Sequence, residues 1–516
     1  MDDLPPAPSS PASAASGKGA TLSPPALKVA YPGLLTASIM LATVMQVLDT
    51  TIANVALPHM AASLNATQEE ITWVLTSYIV ASAIATPLTG WVADRVGRRM
   101  VFVGSIIGFV LSSMLCGIST SLPEMVVFRI FQGIFGAALI PLSQALLLDI
   151  NPRERIGQAM AIYGMGIMVG PIIGPTLGGY LTEVFNWRYV FFINLPLGAI
   201  ALLGVAAFIP REEIKLRRFD IMGFGLLALA VGSLQLMLDR GQSAGWFDAF
   251  EIQLYFGLML SGFWAFVIHC WGAKDPFVDL AMFRDRNFVM GLVFIFVIGM
   301  TLFSGLALLP PLLQKIMGYP VIETGLVMAP RGVGTMLSMV IVGRLVGRFD
   351  PRLLVGFGLC MTAWSLLLME GFESGMNARP IIVSGVMQGF GLGFVFVPLS
   401  TLTFATIAQR FRGDATAMFS LVRNVGSGVG ISLVTVTLSR MSTVNHEEIA
   451  STLTAQAPAV RNTLPQLLEG SRLYAAIADQ LVSREAAMIA YVDNFALMLV
   501  LTLAVIPILL LLRRPT

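Results

Sequence analysis

Asp49 lies about sixteen residues into the apolar block 33–57, in the run Leu48-Asp49-Thr50-Thr51-Ile52-Ala53. A carboxylate removed from water holds a proton more readily, and a neighbouring cation opposes that, so such a group can load and release a proton as water access changes. A cation is available in Phe128-Arg129-Ile130-Phe131-Gln132-Gly133. Charges inside long apolar runs are costly and mark function by default. Asp49 and Arg129 are therefore the candidate proton-coupling pair, with a static structural ion pair as the alternative. Arg331, Arg423 and Asn424 are the other polar groups of note inside apolar blocks. With Gln132 and Gln388 they are candidates for lining a substrate cavity, where the arginines suit an anion or pair structurally.

The elements that must hold these residues follow from composition. The chain has 516 residues, 56% of them hydrophobic and 12% charged, with mean hydropathy +0.79. The charged share is about half that of a soluble domain. Apolar residues come in blocks of about twenty, the length of a membrane-crossing helix. Fourteen such blocks are counted between residues 33 and 512, and backbone satisfaction in lipid makes each a helix. A soluble enzyme, a secreted disulfide scaffold and a disordered chain are excluded. Three cysteines and three histidines, unclustered, point to no metal site. A net charge of +2 gives no reason to expect nucleic acid, and no G-x-x-x-x-G-K-[ST] motif offers a nucleotide site.

With the amino terminus inside, 21 of the 32 Lys and Arg fall in inner segments, 8 in outer ones and 3 within helices. Both termini are therefore expected in the cytoplasm. Residues 1–30, rich in Pro, Ala and Ser, read as a disordered tail without signal-peptide character. Residues 31–209 form a first six-helix bundle, 210–287 two extra helices, and 288–512 a second six-helix bundle. The second bundle includes a long outer segment, 439–488, and residues 513–516 close the chain. The bundles are repeats: a shift of 256 residues puts Gln132-Gly133 on Gln388-Gly389, Gly157 on Gly413, Gly170 on Gly426 and Gly174 on Gly430. Parallel repeats of this kind build transporters that rock about a site near mid-membrane.

Two further patterns concern movement. Gly90-Trp91-Val92-Ala93-Asp94-Arg95-Val96-Gly97-Arg98-Arg99 joins the second and third helices. Its glycines permit a tight turn, Asp94 can accept hydrogen bonds, and Arg95, Arg98 and Arg99 can hold facing carboxylates or lipid. Gly166, Gly170, Gly174 and Gly178, followed by Gly179, make a bare stripe at four-residue spacing, with Pro171 and Pro175 favouring a bend.

The Gly90–Arg99 segment resembles the signature loop of the major facilitator superfamily, and the stripe resembles the antiporter motif of its exporters. The helix-one run and Asn186-Trp187-Arg188-Tyr189-Val190-Phe191-Phe192-Ile193-Asn194-Leu195-Pro196-Leu197-Gly198 are similar to the fourteen-span drug:proton antiporters. The last helix, Arg484 to Phe495, is similar to their EmrB branch. The resemblance implies an all-α membrane protein of major facilitator fold, with fourteen spans arranged 6 + 2 + 6. It implies a bacterial inner-membrane exporter of amphipathic compounds that uses the proton gradient and no bound cofactor. It also implies a latch role for the loop and a periplasmic membrane-fusion partner of the EmrA/HlyD type. The rival readings are a dedicated exporter of one metabolite or lipid-like anion, and a receptor or assembly component that moves nothing.

Overall fold

The computed structural model describes residues 27, 29–67, 70–210, 218–452 and 472–512. Most of the expected tail 1–30, the centre of segment 439–488 and residues 513–516 lie outside the described residues.

The described chain is all helical. The first bundle comprises α1 (Pro32–Ser63), α2 (Trp73–Ala85), α3 (Leu88–Val96), α4 (Arg98–Ile118), α5 (Leu122–Gly136), α6 (Leu139–Ile150), α7 (Ile156–Val184), α8 (Tyr189–Phe192) and α9 (Asn194–Phe208). The two extra helices are α10 (Ile221–Ala244) and α11 (Phe250–Gly272). The second bundle comprises α12 (Arg286–Pro311), α13 (Val321–Leu345), α14 (Pro351–Met369), α15 (Ala378–Ala405), α16 (Arg412–Thr452) and α17 (Arg472–Val505). Among the described residues thirteen helices are long and apolar enough to cross a membrane, or fourteen when the bent pair α2–α3 is taken as one span. That pair turns by 58° at Thr86-Pro87, where proline removes a backbone donor. The helix over Pro171 and Pro175, Ile156–Val184, runs without a break.

Small residues set the close approaches. Along α7, Gly166 meets Met40, Gly170 meets Val47, Gly174 meets Thr51 and Gly178 meets Ile52, all on α1. A Cβ on Gly170 would stand 2.8 Å from the Val47 carbonyl carbon. The repeat uses the same device: on α16, Gly426 lies against the Phe296 backbone and Gly430 against Met300 of α12. The opposite side of α7 runs along α13, with Gly157 at Val346, Ile172 at Gly332 and Thr176 at Gly325. The extra helix α10 packs on α11 and touches both α2 and α16, one from each bundle.

Candidate functional site

Asp49 is buried on the side of α1 away from the glycine stripe, 1% exposed. Its Oδ2 accepts from Arg129 Nη1 at 2.7 Å, and its Oδ1 accepts from Gln132 Nε2 at 2.9 Å and Asn194 Nδ2 at 2.7 Å. Arg129, fully buried, also donates from Nη1 to Gln132 Oε1 at 2.7 Å and from Nε to the Val74 carbonyl at 3.0 Å. Its guanidinium lies 4.4 Å from the Tyr78 ring centroid. Four helices thus meet on one carboxylate: α1 supplies it, α5 supplies Arg129 and Gln132, α9 supplies Asn194, and α2 closes the arginine. Among the described residues, each hydrogen bond that the carboxylate makes is accepted from a side-chain N–H.

In the sequence Asn194 is marked only by its place in the run Asn186–Gly198. Its Nδ2 also donates to Ser113 Oγ at 2.9 Å, and Ser113 Oγ donates to the Phe191 carbonyl at 2.9 Å. A buried amide between apolar residues was the available signal.

The Gly90–Arg99 segment forms the end of α3 and the start of α4. Gly97 has φ +91°, a left-handed value that glycine tolerates, and this turns the chain between the two helices. Gly90 lies against Gly413 and Asp414 at the start of α16, where an added Cβ would run into the Asp414 carboxylate and stand 3.1 Å from the Asp414 nitrogen, so the two bundles touch closely there. Asp94 is partly buried, and Arg95 is exposed with its guanidinium 5.7 Å from the Trp91 ring centroid. Arg99 donates to the Ala206 carbonyl. Arg98 pairs with Asp149, at the end of α6. Asp149 also pairs with Arg412 of α16, so one buried acid binds cations from both halves of the chain. The sequence reading missed Asp149. Its signal was an acid inside the apolar run Leu146–Ile150.

The cavity candidates separate into three places. Gln132 belongs to the Asp49 cluster. Arg331 and Gln388 line a cavity inside the second bundle, with Ile298 and Thr301 of α12, Thr362 of α14 and Thr502 of α17. Arg423 and Asn424 lie on α16, where Arg423 Nη2 meets Asn424 Oδ1 at 3.5 Å and the guanidinium faces Tyr163 of α7. In the stripe, Gly166, Gly170, Gly174, Gly178 and Gly179 are all buried, and Thr51 Oγ1 donates to the Gly170 carbonyl at 3.1 Å. Among the described residues no three His, Cys, Asp or Glu side chains gather as a metal site.

Comparison with known proteins agrees with this architecture. Residues 39–431 match the family model described as Major Facilitator Superfamily. The chain is 36% identical over 441 residues to the multidrug export protein EmrB of Escherichia coli (strain K12), covering 84% of this chain and 85% of that protein. It is 34% identical over 498 residues to the fatty acid resistance protein FarB of Neisseria gonorrhoeae, covering 95% and 98%. The crystal structure of the human organic anion transporter MFSD10 superposes with TM-score 0.58 at 14% identity, covering 91% of this chain and 99% of that one, a likeness of fold alone.

Proposed function

The chain belongs to the major facilitator superfamily, and on that premise we propose that it exports amphipathic compounds across a bacterial inner membrane in exchange for protons. The two bundles alternate access to a path between them. Each charge crossing 100 mV supplies about 2.3 kcal/mol, so the proton gradient suffices without a bound cofactor. Relatives named for multidrug export and fatty acid resistance support a small-molecule cargo with an apolar body.

The observation that carries the reading is the placement of Asp49. Val47 and Thr51 of α1 lie against the glycines of α7, while Asp49 between them faces Arg129, Gln132 and Asn194. A shift of α7 against α1 therefore acts on the same turn of helix that carries the acid. The test is Asp49→Asn in proteoliposomes with an imposed pH gradient. Gradient-driven substrate accumulation should be lost while substrate exchange without a gradient persists. Full accumulation by the variant would refute the assignment.

One observation favours a second reading, a static brace: both Asp49 oxygens are already engaged and the group is sealed from solvent. A brace predicts that Asp49→Asn combined with Arg129→Gln restores both folding and coupled transport. Proton coupling predicts that folding returns and coupling does not.

We also propose that the outer projection docks a periplasmic membrane-fusion protein. The ends of the two helices beside segment 453–471 support it. α16 is 41 residues long and α17 is 34, each longer than the roughly 20 residues a bilayer needs. They are tied together by His446 Nε2 and Asp479 Oδ1 at 3.1 Å. Shortening 439–488 should abolish whole-cell resistance and partner co-purification but leave proteoliposome transport intact. Unchanged resistance and co-purification would exclude docking.

A further inference from the structure

The second bundle repeats the first in packing but not in charge. Gly133 of α5 lies against the Tyr78 carbonyl, and Gly389 of α15 lies against the Arg331 carbonyl, so Arg331 stands in the place of Tyr78. The same register puts Gln388 in the place of Gln132 and Gly385 in the place of Arg129. Val47 packs on Gly170 as Phe296 packs on Gly426, which puts Ile298 in the place of Asp49. The second bundle has therefore lost both the acid and the arginine of the first. At this place it has instead a cation from a different helix, Arg331 of α13.

That cation lacks a counter-charge. Arg331 is 7% exposed, and its Nη1 is buried without a hydrogen-bond partner. No carboxylate pairs with it among the described residues, whereas Arg129 has Asp49 at 2.7 Å. The guanidinium lies beside bare Gly305, whose added Cβ would be 3.3 Å from Nη1. It faces the cavity bounded by Ile298, Thr301, Thr362, Gln388 and Thr502. Two of these groups are also unsatisfied: Thr301 Oγ1 and Gln388 Oε1 are buried with no partner. Turning the Gln388 amide would put an N–H group in place of that unpartnered oxygen. A buried guanidinium without a partner is strongly unfavourable, and planar two-toothed recognition of an oxyanion is what this group does best.

We infer that this cavity is a binding site for a single monovalent anionic group, held by Arg331 with Thr301 and Gln388. The arrangement suits either the carboxylate head of an apolar-bodied molecule, whose chain would lie among Leu302, Leu359 and Val395, or a small inorganic anion. The inference stands on binding and is independent of proton coupling and of the direction of transport.

The test measures thermal unfolding of the purified full-length protein in gluconate buffer, titrated separately with sodium chloride and sodium hexanoate. Three proteins are compared: the parent, Arg331→Gln, and Ile298→Asp, which returns an acid to the place of Asp49. The parent should gain stability with saturating dependence on at least one anion. Arg331→Gln should need about ten- to a hundredfold more anion for the same effect, because a charge-assisted contact is lost. Ile298→Asp should not respond, its own carboxylate occupying the site. Where Arg331→Gln fails to fold, the Ile298→Asp comparison still decides. A response to hexanoate alone identifies a carboxylate head group, to chloride alone a resident inorganic ion, and to both a site that accepts either. No response in the parent, or an equal response in Ile298→Asp, overturns the inference.

Discussion

Replacing Gly170 with alanine adds one methyl group at the tightest backbone contact between α7 and α1. The new Cβ would stand 2.6 Å from Val47 Cγ1, 2.8 Å from the Val47 carbonyl carbon and 3.0 Å from the Leu48 nitrogen. Two of these three atoms are backbone and cannot rotate away. Ordinary contact begins near 3.4 Å, so the helices must separate by about 0.6 Å. Overpacking of this kind costs about 1–3 kcal/mol. The displaced segment also carries Thr51, whose hydrogen bond to the Gly170 carbonyl is 3.1 Å, and Asp49, whose ion pair is 2.7 Å. Gly178→Ala is the internal control: its Cβ would meet Ile52 at 3.3–3.4 Å, close to ordinary contact. Gly170→Ala should lower the thermal midpoint in detergent and cut proton-coupled flux in proteoliposomes by about tenfold, in line with about 1.4 kcal/mol. Gly178→Ala should stay close to the parent in both. Equal behaviour of the two variants would refute the claim that the α1–α7 contact positions the acid.

Arg129→Ala leaves Asp49 as a buried charge without its cation, a loss of about 3–5 kcal/mol, and should reduce folded yield; Arg129→Lys keeps the charge without the fork and should retain part of the yield and of the flux. Yield by size-exclusion chromatography checks both. Asp149→Ala removes the acid that joins Arg98 and Arg412, so spin labels near the ends of α3 and α16 should report a broader and longer distance distribution than in the parent. At the start of α10, partial burial works against ionisation of Asp220, but hydrogen bonds from the Gly223 N–H, His269 and the Phe277 N–H outweigh it and hold the carboxyl below its usual range. Its contribution is then fully present above the unfolded value of about 3.9 and lost as pH falls through the lower folded value. Asp220→Asn should weaken stability at neutral pH and flatten the acid limb of the unfolding midpoint.

Much of the architecture was legible because it rests on short-range rules. Apolar block length fixed the spans, and the shared glycines at one offset exposed the repeat. The Asp49–Arg129 pair was legible because two opposite charges in long apolar runs have few other partners to find. What could not be read is non-local. Asp149 joins Arg98 and Arg412, and Arg412 lies 263 residues further along the chain, a separation no local pattern encodes. Asn194 stands in a run whose resemblance to a family marked the region but not the hydrogen bond to Asp49. Arg331 and Arg423 looked alike in sequence, each an arginine in an apolar helix. Packing separates them, one into a cavity of the second bundle and one toward Tyr163. The break in the second helix at Pro87 also escaped, because the apolar pattern continues across it.

α16 begins at Arg412, held by Asp149, and continues as one helix to Thr452. At 1.5 Å per residue its 41 residues make a rod of about 60 Å. Its first residue is gripped at the junction of the two bundles. A tilt of about 10°, within the range of domain rotations, would sweep the far tip through about 10 Å. Such a tilt would turn the grip on Arg412 into a displacement large enough for another protein to feel. Anything resting on the tip would receive the state of the bundle junction as a change of position, with no small molecule passing between them.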